Sequence, residues 1–193
     1  ALTAPIIMSL AADNGYVIPM LAAHMFVFYF GILADDTPPV GMAAYAAAAI
    51  AKSDPIITGI QSFIYDIRTG ILPFMFFFNN ELLLIAGVDA SDPNDPSKWI
   101  WITNPFEILI IFTGSVLGMF AFTSATQSFV LTKINLIERI MLVAVIPFMM
   151  LPKLMAAKLG LPSHYIAYII GFILYGIVYF GQREKFKKQQ ALA

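Results

Sequence analysis

From Ile18 to Ala51 the chain carries almost no charge, yet its centre reads Ala34-Asp35-Asp36-Thr37-Pro38-Pro39-Val40-Gly41. Two carboxylates, a hydroxyl and two prolines interrupt sequence that is otherwise apolar enough for a membrane. A straight helix over the whole stretch would be ~50 Å long, well beyond a hydrocarbon core of ~30 Å. Two separate spans do not fit either, because Val40 to Ala51 would rise only ~18 Å. One span broken near its midpoint fits. Pro38 and Pro39 lack amide donors and clash with carbonyls one turn back. Each also pushes the residue before it out of the helical region. The halves are expected at about Met20 to Leu33 and Val40 to Ala51, separating at Asp35 to Pro38. Broken helices at membrane depth persist only where the freed backbone is buried in protein or lines a watery cavity. In secondary transporters such breaks hold substrate and coupling ions.

Composition sets the class. The chain is 60% hydrophobic and only 12% charged, against about 25% charged for a soluble domain. Its mean hydropathy is +0.81. Several runs approach 20 apolar residues, so an all-α polytopic membrane protein is expected. A net charge of −1 argues against nucleic acid as a partner. With no cysteine, disulfide and thiolate chemistry are excluded. His24 and His164 are far apart with no neighbouring ligand cluster, so neither zinc nor another resident cofactor is expected. Ala1 to Leu10 has no basic n-region and is not read as a signal peptide. The chain opens in mid-run, as a piece cut from a longer polypeptide would.

Leu2 to Ala12 is apolar but too short to span, which suits a re-entrant or interfacial arm. Asp13-Asn14-Gly15 is a turn signal, and Pro19 fits the first turn of a new helix. Lys52-Ser53-Asp54-Pro55 is a polar turn, and Ile56 to Asp66 a connecting amphipathic helix with Arg68 near its end. A second span is expected over Thr69 to Ala86, with Pro73 in its first turns and Asn79-Asn80-Glu81 at its far end. Gly87 to Trp101 is a loop whose Trp99 and Trp101 suit a membrane interface. Further spans are expected at Pro105 to Phe129, Leu136 to Leu154 with Pro147 inside, and Tyr165 to Phe180. The basic stop Arg183 to Lys188 follows. Domains are expected at residues 1–87, a loop over 88–104, and a membrane extension over 105–193. No internal repeat is visible.

Basic residues set the orientation. With the tail in the cytoplasm, eight of the eleven basic residues fall inside, Lys52, Arg68, Lys133 and Arg139 among them. Lys98, Lys153 and Lys158 fall outside. Five crossings with a cytoplasmic C-terminus are expected, in an inner membrane, with the opening arm dipping in from the outer face.

His24-Met25-Phe26-Val27-Phe28-Tyr29-Phe30-Gly31, then Asp35, Thr37-Pro38-Pro39-Val40 and the alanine-rich Ala43 to Ala51, resemble the large membrane subunit of tripartite ATP-independent periplasmic (TRAP) transporters. The resemblance continues through Asp54-Pro55-Ile56 and Arg68-Thr69 to Phe78-Asn79-Asn80-Glu81-Leu82. It is similar to the fused type, in which small and large membrane subunits form one polypeptide. Met119-Phe120-Ala121-Phe122 and Thr126-Gln127 are similar to the tail of that class. The resemblance implies a sodium-driven elevator with inverted repeats, each having a re-entrant hairpin and a broken helix. It also implies a periplasmic binding protein that delivers an organic acid. This chain would supply the C-terminal part of such a permease, its partners being the rest of the permease or a small membrane subunit, the binding protein and the bilayer.

Sodium is a hard cation and takes oxygen ligands. Carbonyls around Gly31 to Asp36 and the Thr37 hydroxyl are candidate donors, and half-helix C-terminal ends carry partial negative charge. The second half-helix points its positive end at the break, which suits a substrate carboxylate. Asp35 and Asp36 would ligate sodium or pair with a basic residue. The resemblance implies Asp35, Thr37, Pro38 and Pro39 as ion- or substrate-binding, with Asp35 and Thr37 as sodium ligands. The competing reading makes Asp35 to Pro39 a surface loop between two short helices. A carboxylate at the bilayer centre costs at least ~2.5 kcal/mol, so two of them imply a wet or paired setting.

Elsewhere plainer roles are favoured. Asn79-Asn80-Glu81 is expected to face headgroups rather than a substrate path, and Arg68 to set topology rather than bind an anion. His24 is expected to pack at the interface rather than shuttle protons. Thr123, Ser124, Thr126, Gln127 and Ser128 are candidates for bonds between helices. Glu138-Arg139 is expected as an interfacial ion pair. The function expected is sodium-coupled import of a carboxylated small molecule by alternating access. The alternative is a non-transporting accessory subunit that scaffolds a complex. An intramembrane enzyme is disfavoured, because no Ser/His, two-helix Asp or HExxH arrangement appears.

Overall fold

The computed structural model describes residues 2–67, 69–89, 92 and 94–192. Arg68, expected at the membrane edge, lies outside the described residues. The chain forms two compact units, Ala1–Ile102 and Thr103–Ala193.

In the first unit, α1 (Thr3–Asp13) ends at the Asp13-Asn14-Gly15 signal. There the Asn14 and Gly15 amides donate to Ala11 and Ala12 carbonyls, and Gly15 adopts φ +80°. α2 (Met20–Asp36) starts after the extended Pro19. Ala4, Ala11, Ile18 and Ala23 form the buried seam between α1 and α2. α3 (Met42–Ala51) ends at a left-handed Lys52. α4 (Pro55–Asp66) is started by Asp54, whose Oδ1 accepts the Ile56 and Ile57 amides at 2.9 Å each, a strong N-cap with proline in the first turn.

The span expected over Thr69 to Ala86 is not a single helix. A 3-10 turn over Thr69–Ile71 leads into α5 (Leu72–Phe78), followed by a second 3-10 turn over Asn80–Leu83. A short strand β1 (Ile85–Gly87) then pairs antiparallel with β2 (Ile100–Trp101). Asn79 leaves the helical region at φ −133°, ψ 76°. A short amide side chain competes with the backbone for hydrogen bonds and favours helix ends. α5 is fixed to α2 by rings: Phe26 stands edge-on to Phe74 at 5.4 Å, and Tyr29 lies 5.7 Å from Phe76. In the loop before β2, Ser97 donates to Asp95 through side chain and backbone, which holds that carboxyl below the ordinary range.

In the second unit, α6 (Pro105–Gln127) is capped by Asn104. Gly114, Gly118, Ala121 and Ala125 make a buried stripe of small residues along it. α7 (Leu136–Met150) and α9 (His164–Leu192) press on that stripe, since a Cβ on Gly114 would lie 2.5 Å from the Tyr168 ring. Small residues permit such approach between apolar helices. The expected span over Leu136 to Leu154 bends by 100° between α7 and α8 (Pro152–Leu159). Pro147 and Pro152 both withhold amides near the bend. α9 runs straight through the basic tail, so Arg183 to Lys188 extend the last helix rather than follow it.

Among the described residues, α6 and α9 are long and apolar enough to cross a membrane. The bent α7–α8 pair makes a third if it is one span. Five crossings are therefore not supported by helix length: α2 and α3, on either side of the break, and α5 are each too short to cross alone.

Candidate functional site

The break in the first unit comes later than expected. α2 continues through Asp35 and Asp36, and the helix opens at Thr37 to Gly41. The proline rule acts on the immediately preceding residue, and Thr37 is indeed extended at φ −99°, ψ 118°. Asp35 and Asp36 need no proline amide to remain helical, so they form the last turn. Asp35 is exposed and Asp36 half-buried. The Pro38-Pro39 bond is cis.

Prolines at 38 and 39 bring no amide to the carbonyls of Ala34 and Asp35 one turn back. The Thr37 amide donates to Ala34 at 3.4 Å, and the Thr37 hydroxyl donates to the Leu33 carbonyl at 2.6 Å. That hydroxyl keeps lone pairs free to accept or ligate. The Tyr45 hydroxyl, from the first turn of α3, donates to the Pro39 carbonyl at 3.0 Å and ties the two sides of the break. Gly31 sits inside the continuous helix, about 7.5 Å of rise before Asp36, and a Cβ there would meet nothing within 4 Å. The carbonyls of Gly31 and Ile32 thus stay within the helical ladder, while the end of α2 from Leu33 onward is the opened part.

The structure adds a partner that was not anticipated. α4 lies against the break: the Ser62 hydroxyl donates to Asp36 Oδ1 at 3.3 Å, and a Cβ on Gly59 would lie 2.9 Å from Pro38 Cγ. The available signal was the pair of small residues, Gly59 and Ser62, three apart on a helix otherwise filled with bulky side chains. The site therefore brings together Asp36, Thr37 and Pro38 with Gly59 and Ser62. Asp35 and Pro39 stand on its exposed side.

The remaining candidates separate. Asn79 and Glu81 are buried at 0% and 4% exposure rather than turned to headgroups. Asn79 immediately precedes the 3-10 turn that carries Glu81, and the turn leads into β1 through Leu84, whose carbonyl accepts the Ile102 amide at 2.8 Å. His24 is exposed, its Nδ1 2.8 Å from the Met20 carbonyl on its own helix. Thr126 also bonds within its own helix, to Phe122 and Thr123 carbonyls. Glu138 and Arg139 do not pair. Neighbours on a helix point about 100° apart, so Glu138 meets Lys185 on α9 at 2.7 Å while Arg139 donates to Ser128. Among the described residues no group of three or more His, Cys, Asp or Glu could hold a metal ion.

Residues 1–90 match the family model described as the DctM component of tripartite ATP-independent periplasmic transporters. That segment contains α1 to α5, the break and the α4 contact. No curated protein and no solved structure matches the chain.

Proposed function

We propose, from the match of residues 1–90 to the family model of the DctM component of tripartite ATP-independent periplasmic transporters, that the chain is a permease component of a sodium-coupled secondary transporter. It imports a carboxylated small molecule delivered by a periplasmic binding protein. It works together with the rest of the permease or a small membrane subunit, in an inner membrane with its C-terminus cytoplasmic. Residues 105–193 are its membrane extension.

The observation that carries this reading is the opened end of α2. A helix C-terminus concentrates carbonyl oxygens and about half a negative charge. Here it is joined by the Thr37 hydroxyl and the Asp35 and Asp36 carboxylates. All are hard oxygen donors suited to sodium. The N-terminal end of α3, across Pro38 to Gly41, presents the opposite partial charge and suits the carboxylate of a substrate.

The test is uptake by the complete transporter at varied sodium. Asp35→Asn and Thr37→Ala should raise the sodium concentration for half-maximal uptake. Unchanged sodium dependence in both variants would remove these residues from the ion site. Full uptake with the pair combined would favour the scaffolding alternative.

A further inference from the structure

The lysine-bearing end of the second unit holds a cleft of about 600 Å³ that plays no part in the transport reading. Lys133, Lys185 and Lys188 line it, with Phe129, Leu131 and Thr132. It lies where α6 has just ended and α9 carries its basic last turns, beside the first turn of α7.

The base of the cleft is hydrogen-bonded across three segments. Gln182, fully buried on α9, accepts the Thr132 amide at 3.0 Å and the Thr132 hydroxyl at 2.7 Å. Its amide nitrogen donates to Glu138 Oε2 at 2.9 Å. Glu138 also accepts the Asn135 amide at 2.8 Å and Lys185 at 2.7 Å. These bonds tie the base together, and among the described residues no acidic side chain lines the cleft. Among the described residues, Lys133 and Lys188 have no carboxylate within ion-pair distance. The cleft therefore presents two uncompensated ammonium groups on a fixed frame, with a third close behind.

Apolar surface borders that charge. Phe129 is exposed on the cleft wall, and Leu136 and Ile137, at the first turn of α7, are 72% and 73% exposed. A free phosphate gains nothing from these side chains. An amphiphile whose anionic head enters the cleft can lay its acyl chains along them. The cleft stands where α6 ends and beside the basic last turns of α9, the two helices among the described residues long and apolar enough to cross a membrane. That is the depth at which phospholipid phosphates lie, and basic pockets at span ends hold such headgroups.

We propose that Lys133, Lys185 and Lys188 form a binding site for the phosphate headgroup of an anionic phospholipid, with Phe129, Leu136 and Ile137 receiving its chains. The site is independent of the α2–α3 break and of the transport reading built on it.

The complete chain in detergent, titrated with dioleoyl phosphatidylglycerol and followed by native mass spectrometry, tests this directly. The wild-type protein should retain phosphatidylglycerol in preference to dioleoyl phosphatidylcholine. Lys133→Gln with Lys188→Gln should weaken phosphatidylglycerol binding about 30-fold, from about one lysine's worth of headgroup attraction at each position. Lys133→Arg with Lys188→Arg should keep it. Lys52→Gln with Lys158→Gln removes the same charge elsewhere and should change binding less than about twofold. Equal losses in both glutamine pairs would reduce the effect to overall charge and overturn the site, as would full retention in the first pair. Displacement of phosphatidylglycerol by millimolar inorganic phosphate, with no gain from the acyl chains, would overturn the lipid as its occupant.

Discussion

A Cβ placed on Gly59 would lie 2.9 Å from Cγ of Pro38. α4 thus meets the helix break through its backbone, at a ring that cannot rotate away. The same helix carries Ser62 to Asp36. The connecting helix and the break form one packed element, and the predictions for the first unit follow from that contact.

Gly59→Ala sets two effects against each other. Replacing glycine inside a helix gains about 1 kcal/mol of propensity. Overpacking against a rigid ring costs about 1–3 kcal/mol. The clash is expected to win, so Gly59→Ala should lower the thermal stability of the detergent-solubilised chain, and Gly59→Val should lower it further. A rise in melting temperature for Gly59→Ala would mean that Pro38 yields and the contact is loose.

Ser62→Ala is expected to be mild. At 3.3 Å the hydroxyl-to-carboxylate bond is long, and a net hydrogen bond is worth about 0.5–1.5 kcal/mol. In a double-mutant cycle with Asp36→Asn, the coupling in unfolding free energy should fall below about 1 kcal/mol. A larger coupling would indicate a tighter bond in solution, making Ser62 a determinant of how Asp36 is held.

The break itself was legible because proline acts through covalent geometry, which sequence states outright. Its boundaries were less so. Two carboxylates beside two prolines suggested unwinding from Asp35, but the backbone constraint reaches only to Thr37. The expected Thr69 to Ala86 span failed for a related reason. Phe74 to Phe78 supply enough hydropathy for a span, yet Asn79, Asn80 and Glu81 end the helix, and hydropathy summed along a window does not register a reversal. The α4 contact was hidden because it depends on the absence of side-chain atoms at Gly59. The Glu138 pairing was missed because adjacency in sequence is not adjacency in space. Lys185, its true partner, is 47 residues away. The turns at Lys52 to Pro55 and Asp13 to Gly15 were legible, since turn residues act within a few positions; that Asp54 also caps α4 was not.

Gln182 anchors the base of the second unit's basic cleft. Gln182→Leu keeps the approximate volume but removes the acceptor for the buried Thr132 amide and hydroxyl. A buried donor left without a partner costs about 1–3 kcal/mol. The variant should be destabilised by that amount in denaturant unfolding. Gln182→Glu keeps an acceptor for Thr132 but sets a second carboxylate beside Glu138. It should therefore also destabilise the unit, and lowering the pH should lessen that loss as the pair takes up a proton. A Gln182→Leu variant as stable as wild type would show that water replaces the amide and that the base is open to solvent.

Of the glycines in the second unit, Gly114 has the least room for a side chain. A Cβ there would fall 2.5 Å and 2.6 Å from two ring carbons of Tyr168, which is almost fully buried. Gly176 on α9 has nothing within 4 Å of the same position. Alanine at either site brings the same propensity gain of about 1 kcal/mol, so the pair isolates packing. Gly176→Ala should leave thermal stability unchanged or raise it slightly. Gly114→Ala should lower it, with a clash of about 1–3 kcal/mol or more outweighing propensity. Tyr168→Phe should not rescue Gly114→Ala, because the clash is with ring carbons and not the hydroxyl. Tyr168→Leu should restore part of the loss by clearing the ring. If Gly114→Ala and Gly176→Ala behave alike, α6 and α9 are not held at the separation described, and the small-residue stripe is not what brings them together.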